Sequence, residues 1–181
     1  MVPEFAVVTP FAEPGLMSAI MTVPELVPSD VHNSWPFTPS IALKITLVPR
    51  LPKNVGVDPG ANNTAKVWYA HDPFHNIFYL YRESLEGGKS TKQHVTDVQD
   101  LTEKYKENVV MHFVGQKAET QQRMDWASAG IQNVSGPPIH DVESGIDKVV
   151  ELFKTHRLYI FDSCTGTLDE IGRYSRKVND L

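Results

Sequence analysis

From Val55 onward, apolar and polar positions fall into three short β-type runs, Val55–Asp58, Thr64–Ala70 and Ile77–Glu83. They are separated by Pro59-Gly60-Ala61-Asn62-Asn63 and by His71-Asp72-Pro73-Phe74-His75-Asn76, both rich in turn-forming residues. Spacings this short predict an antiparallel meander. The period then changes: Val95, Val98, Leu101 and Tyr105 recur at helical spacing, which predicts a helix over Thr91–Lys106 with Thr91 as its N-cap. Val109–Val114 is an apolar run of strand length, and Ala118–Ala129 reads as a polar helix ending at Gly130. Pro137-Pro138 forces a break, after which Asp141 can cap a helix running to about Thr155, with Val142, Ile146, Val149, Val150 and Phe153 on one face. Leu158–Phe161 reads as the last strand and Thr167–Ser175 as a short terminal helix. The order β-β-β-α-β-α-α-β-α predicts a mixed α/β sheet layered with helices.

The first fifty residues follow no such pattern. Nine of the 13 prolines (Pro3, Pro10, Pro14, Pro24, Pro28, Pro36, Pro39, Pro49 and Pro52) fall within residues 1–52, beside only two basic residues, Lys44 and Arg50. Prolines this dense break helices and central strands alike, so residues 1–50 are expected to form an extended or partly disordered leader. The exception is Ile41–Val48, which has the composition of one edge strand. Glu4, Glu13, Glu25 and Asp30 without any Lys or Arg make the first thirty residues the reverse of a secretory signal. No apolar run approaches the roughly 20 residues of a membrane helix.

Charge and cysteine content narrow the function classes. A net charge of −5, from 17 Lys+Arg against 22 Asp+Glu, excludes a polybasic coat, so any DNA contact must be local or metal-assisted. The single cysteine, Cys164, cannot form an internal disulfide, which makes a reducing, cytoplasmic setting the expectation.

Asp58 carries the most chemical information. It ends the first core strand in Val55-Gly56-Val57-Asp58-Pro59-Gly60, where a carboxylate projects into the crevice beyond the strand ends and can bind a divalent cation through hard oxygen ligands. The same Asp-Pro-Gly is also a common turn. Glu119 lies just beyond the strand Val109–Val114. Parallel neighbouring strands would let it share a cation with Asp58, and a first-turn Glu favoured by the helix dipole is the plainer reading. Arg123, one helical turn further, is then an i,i+4 partner or a phosphate contact. Asp162 follows an apolar strand and is a candidate auxiliary metal ligand. Arg173, Arg176 and Lys177 are the local DNA-backbone candidates, against the commoner meaning of a solvated helix face. His71 and His75 are four apart, yet Pro73 makes their segment a turn and no Cys partner accompanies them. Trp68 and Tyr79 are expected to pack together on neighbouring strands.

Several of these segments together resemble a known family. Val55-Gly56-Val57-Asp58-Pro59-Gly60-Ala61-Asn62-Asn63, Val67-Trp68-Tyr69-Ala70 and Ile77-Phe78-Tyr79-Leu80-Tyr81-Arg82-Glu83 are similar to the start of the nuclease domain of tailed-phage large terminases. Glu119-Thr120-Gln121-Gln122-Arg123 resembles its second motif region. Val142–Asp147, Leu158–Cys164 and Leu168–Ser175 resemble the helix, strand and helix that follow. The resemblance covers roughly residues 51–181 and implies an RNase H-like mixed sheet flanked by helices. The implied activity is a Mg²⁺- or Mn²⁺-dependent endonuclease that cuts viral DNA during packaging in the host cytoplasm, with Asp58 and Glu119 as catalytic metal ligands. Implied partners are double-stranded DNA, the portal protein, the small terminase and a separate ATPase domain, since no Gly-x-x-x-x-Gly-Lys-[Ser/Thr] occurs here. The family continues past the helix holding Tyr174 into a third acidic motif, so residues 51–181 are expected to be C-terminally incomplete. A non-catalytic fragment that binds DNA or portal is the alternative. An actin-like ATPase would need a second phosphate-binding hairpin and about twice the length.

Overall fold

The computed structural model describes residues 51–174 in full, together with the backbone of Ser18–Leu26 and Phe37–Thr46. Those two segments are strands β1 (Ser18–Leu26) and β2 (Phe37–Thr46). Six more follow: β3 (Lys53–Pro59), β4 (Asn63–Asp72), β5 (Ile77–Gly87), β6 (Val109–Val114), β7 (Val134–Ser135) and β8 (Leu158–Phe161). The helices are α1 (Thr91–Lys104), α2 (Thr120–Ser128), α3 (Val142–Lys154) and α4 (Thr165–Arg173). The strands form one mixed sheet in the order β2-β1-β8-β5-β4-β3-β6-β7.

The meander is antiparallel, as the short turns require. Val55 faces Trp68 and Val57 faces Lys66 across β3–β4, while Val67 faces Glu83 across β4–β5. The β4–β5 turn is built by Asp72, whose Oδ1 accepts from the amides of Phe74 (2.9 Å) and His75 (3.3 Å) and whose Oδ2 meets His75 Nδ1 at 2.7 Å. The register of β4–β5 shifts between Trp68 and Tyr69, so Trp68 faces Arg82 and Tyr79 faces Ala70. Tyr79 packs against the core that contains Trp68 and stacks on Tyr159 at 5.7 Å, and the Arg82 guanidinium lies over the Trp68 ring at 5.4 Å.

β6 and β8 are parallel to β3 and β5 respectively, and β1 joins the outer side of β8 antiparallel. The segment Ile41–Val48 overlaps β2, the outermost strand; Leu47 and Val48 lie outside the described residues. The partner strand β1 carries no pattern that marks it in the sequence. Its register with β2 shifts at Pro24, which stands opposite Pro39, two residues that cannot donate to a ladder.

α3 starts where the sequence expects it, whereas α1 and α4 start one to two residues earlier, each for a local reason. Ser90, not Thr91, caps α1 through a reciprocal capping box with Gln93. Asp141 caps α3 by accepting from Ser144 N at 2.8 Å. α4 starts at Thr165 rather than Thr167 because the Glu83 carboxylate, from β5, accepts from Gly166 N (2.7 Å), Thr167 N (2.8 Å) and Thr167 Oγ1 (2.6 Å). The core between sheet and helices is built on Val55, Trp68, Val95, Val98, Val114, Trp126, Phe153, Ile160, Phe161 and Cys164.

Candidate metal centre

The parallel β3–β6 pairing brings two loop starts to one end of the sheet. The last pair is Val57 with Val114, and the Gly115 amide then donates to the Val57 carbonyl at 2.9 Å. Asp58 therefore leaves β3 beside the β6–α2 loop, exposed, with its own carbonyl accepting from Gly60 N at 3.0 Å. Asp58 is the last residue but one of β3, and its carbonyl opens the turn that follows. Gly60 is required in that turn, because a Cβ there would stand 2.5 Å from the Asn63 carbonyl oxygen.

Glu119 occupies the N-cap position of α2, half-buried, and its Oε2 accepts from Gln116 N at 2.6 Å. The chain reaches this shape through Gly115 at φ 63°, with the Glu119 carboxylate folded against the Gly115 α-carbon. A side chain at position 115 would overlap Glu119 Oε2, so glycine meets both the backbone and the contact requirement here. Asp58 and Glu119 thus stand near the C-terminal ends of the adjacent parallel strands β3 and β6.

The other candidates sit elsewhere. Asp162 follows β8 and is exposed, but β5 and β4 lie between β8 and β3. Three strand spacings put it about 14 Å away across the sheet, too far to share a cation with Asp58. Arg173 is exposed in the last turn of α4 and pairs with Asp169 at 2.9 Å. Arg176 and Lys177 lie outside the described residues. Arg123 turns inward: its Nη1 donates to the carbonyls of Val114 (3.2 Å) and Gln116 (2.6 Å), its Nη2 to Lys117 O (2.9 Å) and Thr120 Oγ1 (3.1 Å). His71 and His75 serve the β4–β5 turn, bonding Asn76 Oδ1 and Asp72 respectively.

Sequence reasoning missed a charged network at the top of α1. Glu86, His94 and Asp97 bring three potential metal-ligand atoms within 4.8 Å of one another. The ammonium of Lys66, only 1% exposed, stands among them, 2.7 Å from Glu86 Oε2, 3.3 Å from His94 Nδ1 and 3.9 Å from Asp97 Oδ2. Lys89 closes the network, 3.1 Å from Glu86 and 2.8 Å from Asp97. The hydrogen bond from Lys66 holds the Glu86 carboxyl down at about 2, and burial with the Lys66 charge pushes the His94 pKa below its ordinary value. A lysine already supplies the positive charge that a metal would bring, so this cluster is a structural ion network joining β4, β5 and α1. Its sequence signal is Lys66 itself, at an inward position of Thr64-Lys66-Trp68-Ala70.

A mixed sheet with an antiparallel three-strand meander, flanked by the parallel strands β6 and β8 and by helices, has the RNase H-like fold. Among solved structures the chain is similar to nuclease domains of phage large terminases. The P22 large terminase nuclease domain matches with a TM-score of 0.59 and 20% identity over 72% of this chain and 71% of that one. The large terminase of a thermophilic bacteriophage matches with a TM-score of 0.60 and 19% identity, over 87% of this chain and 38% of that one. The nuclease domain of the bacteriophage SPP1 large terminase, solved with bound Mn, matches with a TM-score of 0.55 and 14% identity over 72% and 71%. No protein-family model and no curated protein matches the chain.

Proposed function

We propose that this chain is the nuclease domain of a phage or prophage large terminase, a divalent-cation-dependent DNA endonuclease acting during viral DNA packaging. The observation that carries the reading is the parallel β3–β6 pairing, which sets Asp58 and the Glu119 loop side by side at one end of the sheet. Two carboxylates suit Mg²⁺ or Mn²⁺, which keep several waters and take the remaining positions from substrate phosphates. When bound, the cation activates the attacking water and stabilises the leaving oxygen of an in-line phosphodiester hydrolysis. Asp58 offers its exposed carboxylate, and Glu119 offers Oε1 while the Gln116 amide holds Oε2. Double-stranded DNA is the substrate in this reading, and portal, small terminase and an ATPase domain are its packaging partners, in the host cytoplasm. Among the described residues no helix is long and apolar enough to cross a membrane.

Nicking of supercoiled plasmid in Mn²⁺ tests the reading. Cleavage by the wild-type chain that is lost in Asp58→Ala and in Glu119→Ala supports it; Mn²⁺ binding without cleavage rejects catalysis by this chain. A second reading, a DNA- or portal-binding domain without catalysis, is favoured by one observation: among the described residues the one cluster of three potential ligands already holds Lys66. Salt-dependent DNA retardation with no nicking selects it.

A further inference from the structure

The side chain that sequence reasoning offers to DNA, Arg123, has little left with which to bind it. A guanidinium has five N–H donors, four of them on the two Nη atoms. The four Nη donations go to Val114 O, Gln116 O, Lys117 O and Thr120 Oγ1, all between the last residue of β6 and the first residue of α2. A bidentate phosphate contact needs two parallel N–H groups, and only Nε–H remains. The guanidinium lies beside Gly136, where a Cβ would stand 3.6 Å from Cζ and Nη1 and 3.8 Å from Nε.

Gln116, which also holds Glu119, is tied to Arg123 by one of these bonds. Its carbonyl accepts from Arg123 Nη1 at 2.6 Å and from Glu119 N at 3.0 Å, and its amide donates to Glu119 Oε2 at 2.6 Å. Gly115, just before it, is tied to Val57 in the neighbouring strand. The chain of contacts therefore runs Arg123, Gln116, Glu119 on one side and Gly115, Val57, Asp58 on the other. We propose that Arg123 is the positioning residue of the Asp58–Glu119 centre, fixing the Glu119 carboxylate through the Gln116 peptide and making no contact with DNA. The inference rests on the nuclease reading, in which a cation is what Glu119 is held for.

A cycle of Mn²⁺ titrations on the full chain tests it, using wild type, Arg123→Met, Arg123→Lys, Glu119→Gln and Arg123→Met/Glu119→Gln. Groups that orient metal ligands are worth about 10–100-fold in metal affinity. Arg123→Met is expected to weaken Mn²⁺ by about tenfold or more on the native background and by less than about twofold on the Glu119→Gln background, because the two residues act in series. Arg123→Lys keeps the charge but has three donors on one atom and cannot rebuild the clamp, so it is expected to follow Arg123→Met; if Arg123→Met does not fold, Arg123→Lys carries the comparison. DNA affinity in EDTA and its salt slope are expected to be unchanged, whereas loss of a phosphate contact would reduce the slope by about 0.9. An Mn²⁺ affinity untouched by Arg123→Met, an equal penalty on both backgrounds, or a reduced salt slope overturns the positioning role and leaves the nuclease reading standing. A wild-type chain that binds no Mn²⁺ instead brings down the nuclease reading itself.

Discussion

The amide of Gly115 donates to the carbonyl of Val57 at 2.9 Å, extending the parallel ladder one residue past the last β3–β6 pair. That bond sets the relative position of the two carboxylate-bearing loops, since Asp58 follows Val57 and the Glu119 loop follows Gly115.

Gly115→Ala is accordingly expected to act on both stability and cation binding. Alanine at φ 63° costs about 1 kcal/mol of backbone strain, and its Cβ overlaps Glu119 Oε2. The carboxylate must swing away from the Gln116 amide, giving a combined loss of about 2 kcal/mol. Urea unfolding reads the stability and Mn²⁺ titration reads the displaced ligand. An unchanged unfolding midpoint would mean that the loop has another low-energy shape.

Much of this arrangement is written locally in the chain. The meander, α3 with its Asp141 cap, β6 and β8 follow from alternation, turn residues and period, each a short-range signal. Asp58 is legible for the same reason, as a carboxylate followed by Pro59 and Gly60 that stop the strand. What the sequence hides is set by partners far along the chain. Glu83 fixes the start of α4 from more than eighty residues away. The register shift at Trp68 and Tyr69 puts Arg82 rather than Tyr81 opposite Trp68, which simple alternation does not announce. Arg123 reads as a surface cation until the folded loop presents it with carbonyls. Lys66 reads as a strand lysine until α1 brings His94 and Asp97 onto it.

Lys66→Met tests whether the Glu86–His94–Asp97 cluster is held together by the lysine. Removing the buried ammonium leaves Glu86 and Asp97 with Lys89 as their remaining cation, and breaking a fully buried pair costs about 3–5 kcal/mol. Glu86 and Asp97 keep about a third of their side-chain surface in water, so screening reduces the expected loss to about 2 kcal/mol. The variant also vacates the space among three ligand atoms. Co²⁺ is therefore expected to raise the melting temperature of Lys66→Met and to leave that of Lys66→Arg unaffected. A Lys66→Met protein as stable as wild type would show that the network contributes no net stability.

The same network gives stability a defined pH dependence. His94 and His112 both have pKa values lowered by burial from the ordinary 6.5, so between their folded values and 6.5 the unfolded chain binds more protons than the folded one. Stability is then full above about pH 6.5 and falls as the pH drops below it. Glu86, held at about 2 against an ordinary 4.5, adds a second loss as the pH falls from 4.5 towards 2. Denaturant unfolding at intervals between pH 7.5 and 5 is expected to show the first decline. His94→Gln, which can accept from Lys66 but cannot take up a proton in this range, is expected to reduce it and leave the share of His112. A stability that is level from pH 7.5 to 5 would contradict the burial of both rings.

Cys164 stands where β8 gives way to α4, fully buried, with its Sγ 3.9 Å from the Leu80 carbonyl. Burial foremost, and then the nearby Glu83 carboxylate, push its thiol up to about 12, so the nucleophilic thiolate is scarce at neutral pH. The native protein is therefore expected to resist a thiol reagent such as a disulfide-exchange chromophore, with full labelling appearing only on unfolding. Glu83→Gln separates the two contributions. It removes a charge near the sulfur and weakens the three hydrogen bonds at the start of α4, at a cost of about 1–2 kcal/mol. If α4 opens locally in that variant, labelling accelerates under native conditions and tracks the loss of helix stability. If burial alone protects the thiol, labelling stays tied to global unfolding. Fast labelling of the wild-type protein would show that α4 detaches from the sheet in the native state, and with it that Glu83 does not hold the helix start.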